Sequence, residues 1–171
     1  MRPFLLFILM LAINCQGEKL TSLPLTIRYF YTQNKEKDFN NFVNWHISPR
    51  DKSDDAYIFD FFENDKIKYG FIVISNGQEK FKKIFPSQDS SFYNLTDNEL
   101  EQTYPINLSL FKEFKALNIN SLLYIPENNL FLFKLNDYSI IYSVDKMDDI
   151  TNIKRFSNYK SIDSNWFYIA D

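Results

Sequence analysis

The sequence predicts an α+β domain in which two or three helices accompany a mainly antiparallel, curved sheet. Two observations predict this class: short runs of aromatic and β-branched residues are separated by turn signals, and two segments carry apolar residues at helical spacing. The chain holds 18 Phe, 11 Tyr and 2 Trp among its 171 residues, and aromatic side chains favour strands. Because no repeat, low-complexity tract or linker divides them, residues 23–171 are expected to form one domain.

The first predicted helix covers residues 34–46. Asn34 can cap it, and Asp38 adds negative charge to its first turns. The run before it, residues 25–31, alternates as a strand does, although an earlier helical turn also fits. The residues of the helix's apolar face recur at the spacing i, i+3, i+4, i+7: Phe39, Phe42, Val43 and His46.

Two hairpins are predicted next. Residues 57–62 form a strand, residues 63–66 a turn, and residues 69–75 a second strand. Because this second strand is apolar on both faces, it is expected to lie inside the sheet. Asn76-Gly77 supplies the two positive-φ residues of a type I′ turn, so residues 79–85 return as its partner strand.

The second half of the chain combines helices with a meander. A capping box at residues 96–99 predicts a short helix around Leu100. Ser109 can cap another helix, and its apolar face consists of Leu110, Phe111, Phe114 and Leu117. Strands are predicted at residues 122–125, 130–135 and 138–144 and, after a polar stretch at 147–156, at 165–169.

The order of these elements resembles a known arrangement. An early helix is followed by late strands that end in Asn165-Trp166-Phe167-Tyr168, as in the cystatin-like or NTF2-like arrangement. The resemblance implies a helix that packs in a curved sheet.

Residues 1–14 have the pattern of a secretory signal peptide. Arg2 precedes an apolar run from Phe4 to Ile13, which as a helix spans about 15 Å, roughly half of a bilayer's hydrocarbon core. This run is too short for a stable transmembrane helix. It is therefore excluded from the predicted fold.

Residues 11–15, Leu-Ala-Ile-Asn-Cys, resemble the lipobox of bacterial lipoproteins, with Ala12 and Asn14 departing from the usual residues. The resemblance implies that Cys15, the sole cysteine, is acylated and becomes the mature N-terminus. A membrane-inserted lipid, such as a palmitate chain, then anchors the protein to the cell envelope, and residues 15–22 form a polar tether. Gln16 after the cysteine resembles lipoproteins sent on to an outer membrane.

An ordinary signal peptide cut after Gly17 is the alternative. The protein is then secreted, and the triplets that begin at Asn94 and Asn107 become glycosylation acceptors.

Composition excludes several classes of protein. A formal net charge of −3 gives no basic field for a nucleic-acid partner. Three glycines cannot form a glycine-rich phosphate loop, and one Cys with one His gives neither a disulfide framework nor a Cys/His zinc site. We therefore expect no cofactor, no bound metal and no catalytic residues.

The remaining polar candidates have simple structural explanations. His46 is the only histidine and, at the end of a predicted helix, is expected to be packed. The acidic clusters are expected to be solvated turn charges: Asp54-Asp55, Glu99 with Glu101, and Asp148-Asp149.

Five aromatic residues form the candidate interaction surface. They either belong to the core or provide a stacking surface for a ligand or partner. They are Trp45, Tyr138, Tyr142, Trp166 and Tyr168.

Two classes of function fit these observations. The first is a lipid-anchored envelope protein that binds another envelope protein, as an inhibitor, an immunity factor or an assembly accessory. The second is a pocket protein that holds a small apolar or glycan ligand.

Overall fold

The computed structural model describes residues 20–50, 56–74, 80–86, 108–147, 150 and 153–170. The α-helices named here are α1, Leu25–Asn34, and α2, which covers residues 108–116. The strands are β1 Trp45–Pro49, β2 Ala56–Glu63, β3 Lys66–Ile74, β4 Lys80–Pro86, β5 Ser121–Ile125, β6 Leu130–Lys134, β7 Tyr138–Ser143, β8 Lys160–Ser161 and β9 Trp166–Ala170. Short 3-10 helices lie at Asn40–Phe42, Pro126–Asn128 and Lys154–Phe156.

All nine strands belong to one open sheet in the order β4-β3-β2-β1-β5-β6-β7-β9-β8. Every described pairing is antiparallel. Two meanders, β1 to β4 and β5 to β7, are joined where His46 of β1 lies opposite Leu123 of β5. Strands β9 and β8 extend the sheet beyond β7. The α+β class and the mainly antiparallel sheet predicted from the sequence are confirmed.

The main core lies between one face of the sheet and the two α-helices. Ile27 and Phe30 of α1 and Phe111 and Phe114 of α2 pack into it. Because side chains alternate along a strand, β1, β2, β3, β5, β6, β7 and β9 contribute alternate residues to this core. The largest fully buried side chains of this core are Phe39, Phe59, Phe71, Phe111, Phe114, Phe131, Phe133 and Trp166.

A smaller second core covers the opposite face at the β5–β9 end of the sheet. Ile140 of β7 belongs to the main core, whereas Ile141, the next residue, belongs to the second core. The second core consists of Ile125, Leu130, Ile141, Ile150, Phe156 and Phe167. Strands β5, β6, β7 and β9 therefore have apolar packing on both faces.

Burial on both faces also encloses two serine side chains of β7. Ser139 and Ser143 are 1% and 0% exposed, and a buried hydroxyl needs a hydrogen-bond partner. The Ser143 hydroxyl donates to the main-chain carbonyl of Asp145.

The predicted positions of the first helix and strand are wrong. The helix is Leu25–Asn34, where a strand was favoured, and Trp45–Pro49 is a strand, so that His46 lies on β1. Asn34 ends the helix instead of capping a new one. Three further asparagines follow at positions 40, 41 and 44, and asparagine favours turns because its side chain competes for backbone hydrogen bonds.

The predictions for the hairpins and the meander are confirmed. Asn64 and Asp65 have φ of 52° and 60°, the conformation of a type I′ turn between β2 and β3. Strand β3 pairs on both sides, with β2 and β4. Strands β5, β6, β7 and β9 lie where the apolar runs predicted them. Leu110, Phe111 and Phe114 of α2 are buried, as is Leu117 directly after it. Ser109 lies inside the helix instead of capping it.

Several predictions concern residues outside the described part of the chain. These are the signal peptide, Cys15, the Asn76-Gly77 turn, the helix around Leu100 and the three acidic clusters.

Candidate binding cleft

The five aromatic residues proposed as an interaction surface occupy two kinds of position. Trp45 and Trp166 are 7% and 2% exposed and belong to the main core, so in this structure neither forms a surface. Tyr138, Tyr142 and Tyr168 are half-buried and pack against that core.

The structure brings only some of these rings together. The ring centroids of Tyr142 and Trp166 are 4.8 Å apart. Trp45 instead packs in the first meander, 5.1 Å from the ring of Phe61 and 5.5 Å from that of Phe71. Both tryptophans are therefore buried in the main core, in different parts of the sheet.

His46 lies on the sheet face opposite Trp45 and Ile47. It is half-buried and directly opposite Asp60 on β2. Burial raises the pKa of the Asp60 carboxyl, and the nearby His46 partly offsets that rise. Gly70 leaves room for this carboxyl, because a Cβ at position 70 would lie 2.6 Å from the Asp60 Oδ1.

A cleft of about 320 Å³ opens where α1 ends, beside the residues that follow α2 and the turn between β6 and β7. Three aromatic residues line it: Tyr29, Phe30 and Tyr57. Five side-chain amides line it as well: Gln33, Asn34, Asn118, Asn120 and Asn136. We call this feature the amide cleft.

Helical spacing places the α1 residues in the amide cleft. Residues three or four apart lie on the same side of a helix, so Tyr29 and Gln33 are neighbours, as are Phe30 and Asn34. Phe30 is 3% exposed and joins the main core, whereas Tyr29 is 60% exposed. Helix α1 therefore offers a free aromatic ring at the edge of the cleft.

The facing wall comes from two chain reversals. After α2, Asn118 has φ of 54°, in the left-handed region that often ends helices. The main-chain N–H of Asn120 donates to the carbonyl of Lys134 over 2.8 Å, and the Asn120 side-chain amide donates to the Asn136 Oδ1 over 3.0 Å. Two of the five amides are thus held against each other.

Asn34 has an unusual environment in this cleft. It is 2% exposed, and its Nδ2 donates to the carbonyl of Phe30 over 2.8 Å. Its Oδ1 is buried and accepts no hydrogen bond from any residue that the structure describes. Leaving a buried acceptor unsatisfied costs about 1–3 kcal/mol.

The charges at the amide cleft balance. Lys115 and Asp137 both line it. The Lys115 Nζ lies 3.3 Å from the Tyr57 hydroxyl and 4.8 Å from the centre of its ring, so the cation is held against an aromatic residue. The cleft accordingly has one positive and one negative side chain among its described lining.

A second cleft, of about 270 Å³, lies near the start of β1 and the turn between β5 and β6. Its lining includes Asn44, Phe62, Leu123 and Arg155. Two aromatic residues line it, Phe62 and Tyr124, and Asn44 is the only side-chain amide in its described lining. It therefore lacks the cluster of amides that characterises the amide cleft.

No family model, no curated protein and no solved structure matches this chain. The case for a function therefore rests on the geometry and chemistry of the cleft. Among the described residues, no helix is long and apolar enough to cross a membrane. In the same part of the chain, no group of three or more His, Cys, Asp or Glu residues is placed to hold a metal ion.

Sequence reasoning missed the amide cleft because its residues come from four separate segments of the chain. One signal was present: side-chain amides occur in Gln33-Asn34, in Asn118 with Asn120, and in Asn136, each at the end of a structural element. That signal identifies a common surface only once α1 is recognised as a helix.

Proposed function

We propose that this chain is a lipid-anchored binding protein of a bacterial cell envelope, and that the amide cleft holds its ligand. The observation that carries the binding role is a polar cleft with an exposed aromatic residue in its lining and, at Asn34, a buried amide oxygen that accepts no hydrogen bond from the described residues. Ligand sites typically combine a concave surface, aromatic side chains and a few convergent polar groups.

The anchor is supported by the position of the sole cysteine. Cys15 follows the apolar run directly, where an acylated lipoprotein cysteine would stand. Four residues separate it from Leu20, which packs against the main core, and an extended chain from Cys15 to Leu20 spans at most about 18 Å. The domain would thus stay close to the membrane without inserting into it.

A protein partner is the second candidate function, and one observation favours it. Leu25 and Tyr29 are 72% and 60% exposed and lie one helical turn apart on α1. Exposed apolar and aromatic side chains of this kind often mark protein contacts. A protein that inserted a loop into the amide cleft would use the same surface.

The anchor is tested by replacing Cys15 with Ser in a bacterial host and following radiolabelled palmitate. The unsubstituted protein should take up label and sediment with membranes, and the Cys15→Ser variant should not take up label. Failure of the unsubstituted protein to incorporate palmitate refutes the lipid anchor.

The binding site is tested by site-specific photocrosslinking. A photoreactive residue at position 33, in the cleft, should form adducts in intact cells. The same residue at position 67, where Ile67 is 42% exposed and outside the cleft, is the control. An adduct of small mass supports a ligand, and one with the mass of a second protein supports the alternative. Equal labelling at both positions, or none at position 33, contradicts a binding role for the cleft.

A further inference from the structure

We infer that the amide cleft is a site for an uncharged carbohydrate, in which the Tyr29 ring stacks on one sugar unit and the side-chain amides bind its hydroxyls. This inference rests on the proposed function and specifies the ligand of the same cleft. It follows from the chemistry of the lining, the state of Asn34, the position of Tyr29 and the balance of charge.

The amides match the hydroxyls of a sugar. A side-chain amide offers two donors and one acceptor oxygen, and a hydroxyl both donates and accepts. Five amides line this cleft, and the hydrogen bond between Asn120 and Asn136 already fixes two of them. A ligand rich in hydroxyls can therefore satisfy the wall from several directions.

Asn34 lacks the partner that such a ligand would bring. Its Oδ1 is a buried acceptor with no donor among the described residues, and its residue lines the cleft. Since this oxygen is covered, a hydroxyl reaches it only if the side chain turns toward the cleft. The donated hydrogen bond would then remove the cost of the unsatisfied acceptor.

Tyr29 supplies the stacking surface. This residue is 60% exposed and lines the cleft. The negative face of an aromatic ring attracts the polarised C–H groups on one side of a sugar ring. Leu25, one turn earlier, is also exposed to solvent but does not line the cleft.

Charge and size restrict the ligand further. Lys115 and Asp137 have opposite charges, and Lys115 is held against Tyr57, so nothing in the described lining favours an anion over a neutral molecule. The volume of about 320 Å³ is near the lower end of the usual range for ligand sites. A short neutral glycan matches both the balanced charge and the small volume of the cleft.

The test is a titration of the purified full chain with neutral trisaccharides. Chitotriose, cellotriose and maltotriose are the probes, and a galacturonic acid trisaccharide is the charged comparison. The protein is kept in a polyoxyethylene detergent, because its headgroup contains no sugar. At least one neutral trisaccharide should bind, more tightly than the charged one.

Matched variants locate the binding to the cleft. Tyr29→Ala should weaken binding about tenfold or more, Tyr29→Phe should retain it, and Leu25→Ala should change it less than about twofold. Since both positions are exposed, none of these variants should alter the far-UV circular dichroism. Asn34→Leu, which removes the acceptor, should weaken binding as well.

Three results would overturn the inference. They are the absence of binding for all three neutral probes, tighter binding of the galacturonic acid trisaccharide, and equal effects of Tyr29→Ala and Leu25→Ala. The photocrosslinking experiment at position 33 distinguishes failure of the carbohydrate inference from failure of the proposed binding role. A cleft-specific adduct together with no trisaccharide binding refutes the carbohydrate and leaves the binding role in place.

Discussion

Tyr31 shows how one side chain joins the first helix to the last strand. Its hydroxyl donates to the Asp163 Oδ2 over 2.7 Å. The other oxygen of Asp163 accepts from the main-chain N–H groups of Asn165 and Trp166 over 2.8 and 2.9 Å. One carboxylate therefore holds both α1 and the start of β9.

Replacing Tyr31 with Phe should lower the free energy of unfolding by about 1–3 kcal/mol, because a hydrogen bond to a charged acceptor is lost. Urea denaturation measures the change. Tyr29→Phe, two residues earlier on an exposed side chain, is the control and should change stability by less than about 0.5 kcal/mol. A loss no larger than the control's would show that the Tyr31 contact contributes nothing.

The stabilisation that the Tyr31–Asp163 hydrogen bond provides should depend on pH. Burial, followed by the hydrogen bond to Asp163, raises the pKa of Tyr31 well above its ordinary value. A group with a raised pKa in the folded state stabilises the fold fully below its unfolded pKa, which is about 10 for tyrosine. The difference in free energy of unfolding between the unsubstituted protein and the Tyr31→Phe variant should therefore be constant from neutral pH to about pH 9. It should shrink above about pH 10.

Among the elements, the hairpins were predicted because their signals are local. Alternating apolar residues define each strand, and Asn64-Asp65 defines the turn between β2 and β3. For helix α1 a strand was favoured and a helical turn was only the alternative, because Tyr29, Phe30 and Tyr31 form an aromatic run with strand propensity. Its buried stripe of Ile27, Phe30 and Asn34 gains its stability from the sheet beneath, which no local pattern reveals.

The amide cleft could not be predicted for a related reason. Its lining comes from α1, Tyr57, residues 115–120 and residues 135–137, which come together only after the sheet has set the positions of α1, α2 and the β6–β7 turn. Tyr57 was assigned to a strand correctly, but nothing local shows that its hydroxyl meets Lys115.

The backbone conformation of the β2–β3 turn leads to a prediction about stability. Asp65 has φ of 60°, a conformation in which a side chain with a Cβ is strained and glycine is not. Asp65→Ala should destabilise the domain by about 1 kcal/mol, and Asp65→Gly should be neutral or stabilising. Thermal unfolding of the two variants distinguishes these effects. If both lowered the midpoint equally, the loss of the carboxylate would be the cause instead of the backbone conformation.

At the scale of the whole molecule, the two cores share strands. Ile140 and Trp166 belong to the main core, and their neighbours Ile141 and Phe167 belong to the second core. Loss of either core would therefore remove packing from one face of β7 and β9. Because the meanders are also joined at β1 and β5, we expect the described domain to unfold in a single cooperative transition.

The two tryptophans make this expectation measurable. Trp45 lies in the first meander and Trp166 on β9, and the chain contains no other tryptophan. Trp45→Phe leaves Trp166 as the only indole, and Trp166→Phe leaves Trp45. In each variant, urea unfolding followed by fluorescence should coincide with unfolding followed by far-UV circular dichroism. Each variant is compared only with itself, since the substitutions themselves change stability. If fluorescence of Trp166 changed at lower urea than the circular dichroism, strands β7 and β9 would unfold separately, and the shared strands would not couple the two cores.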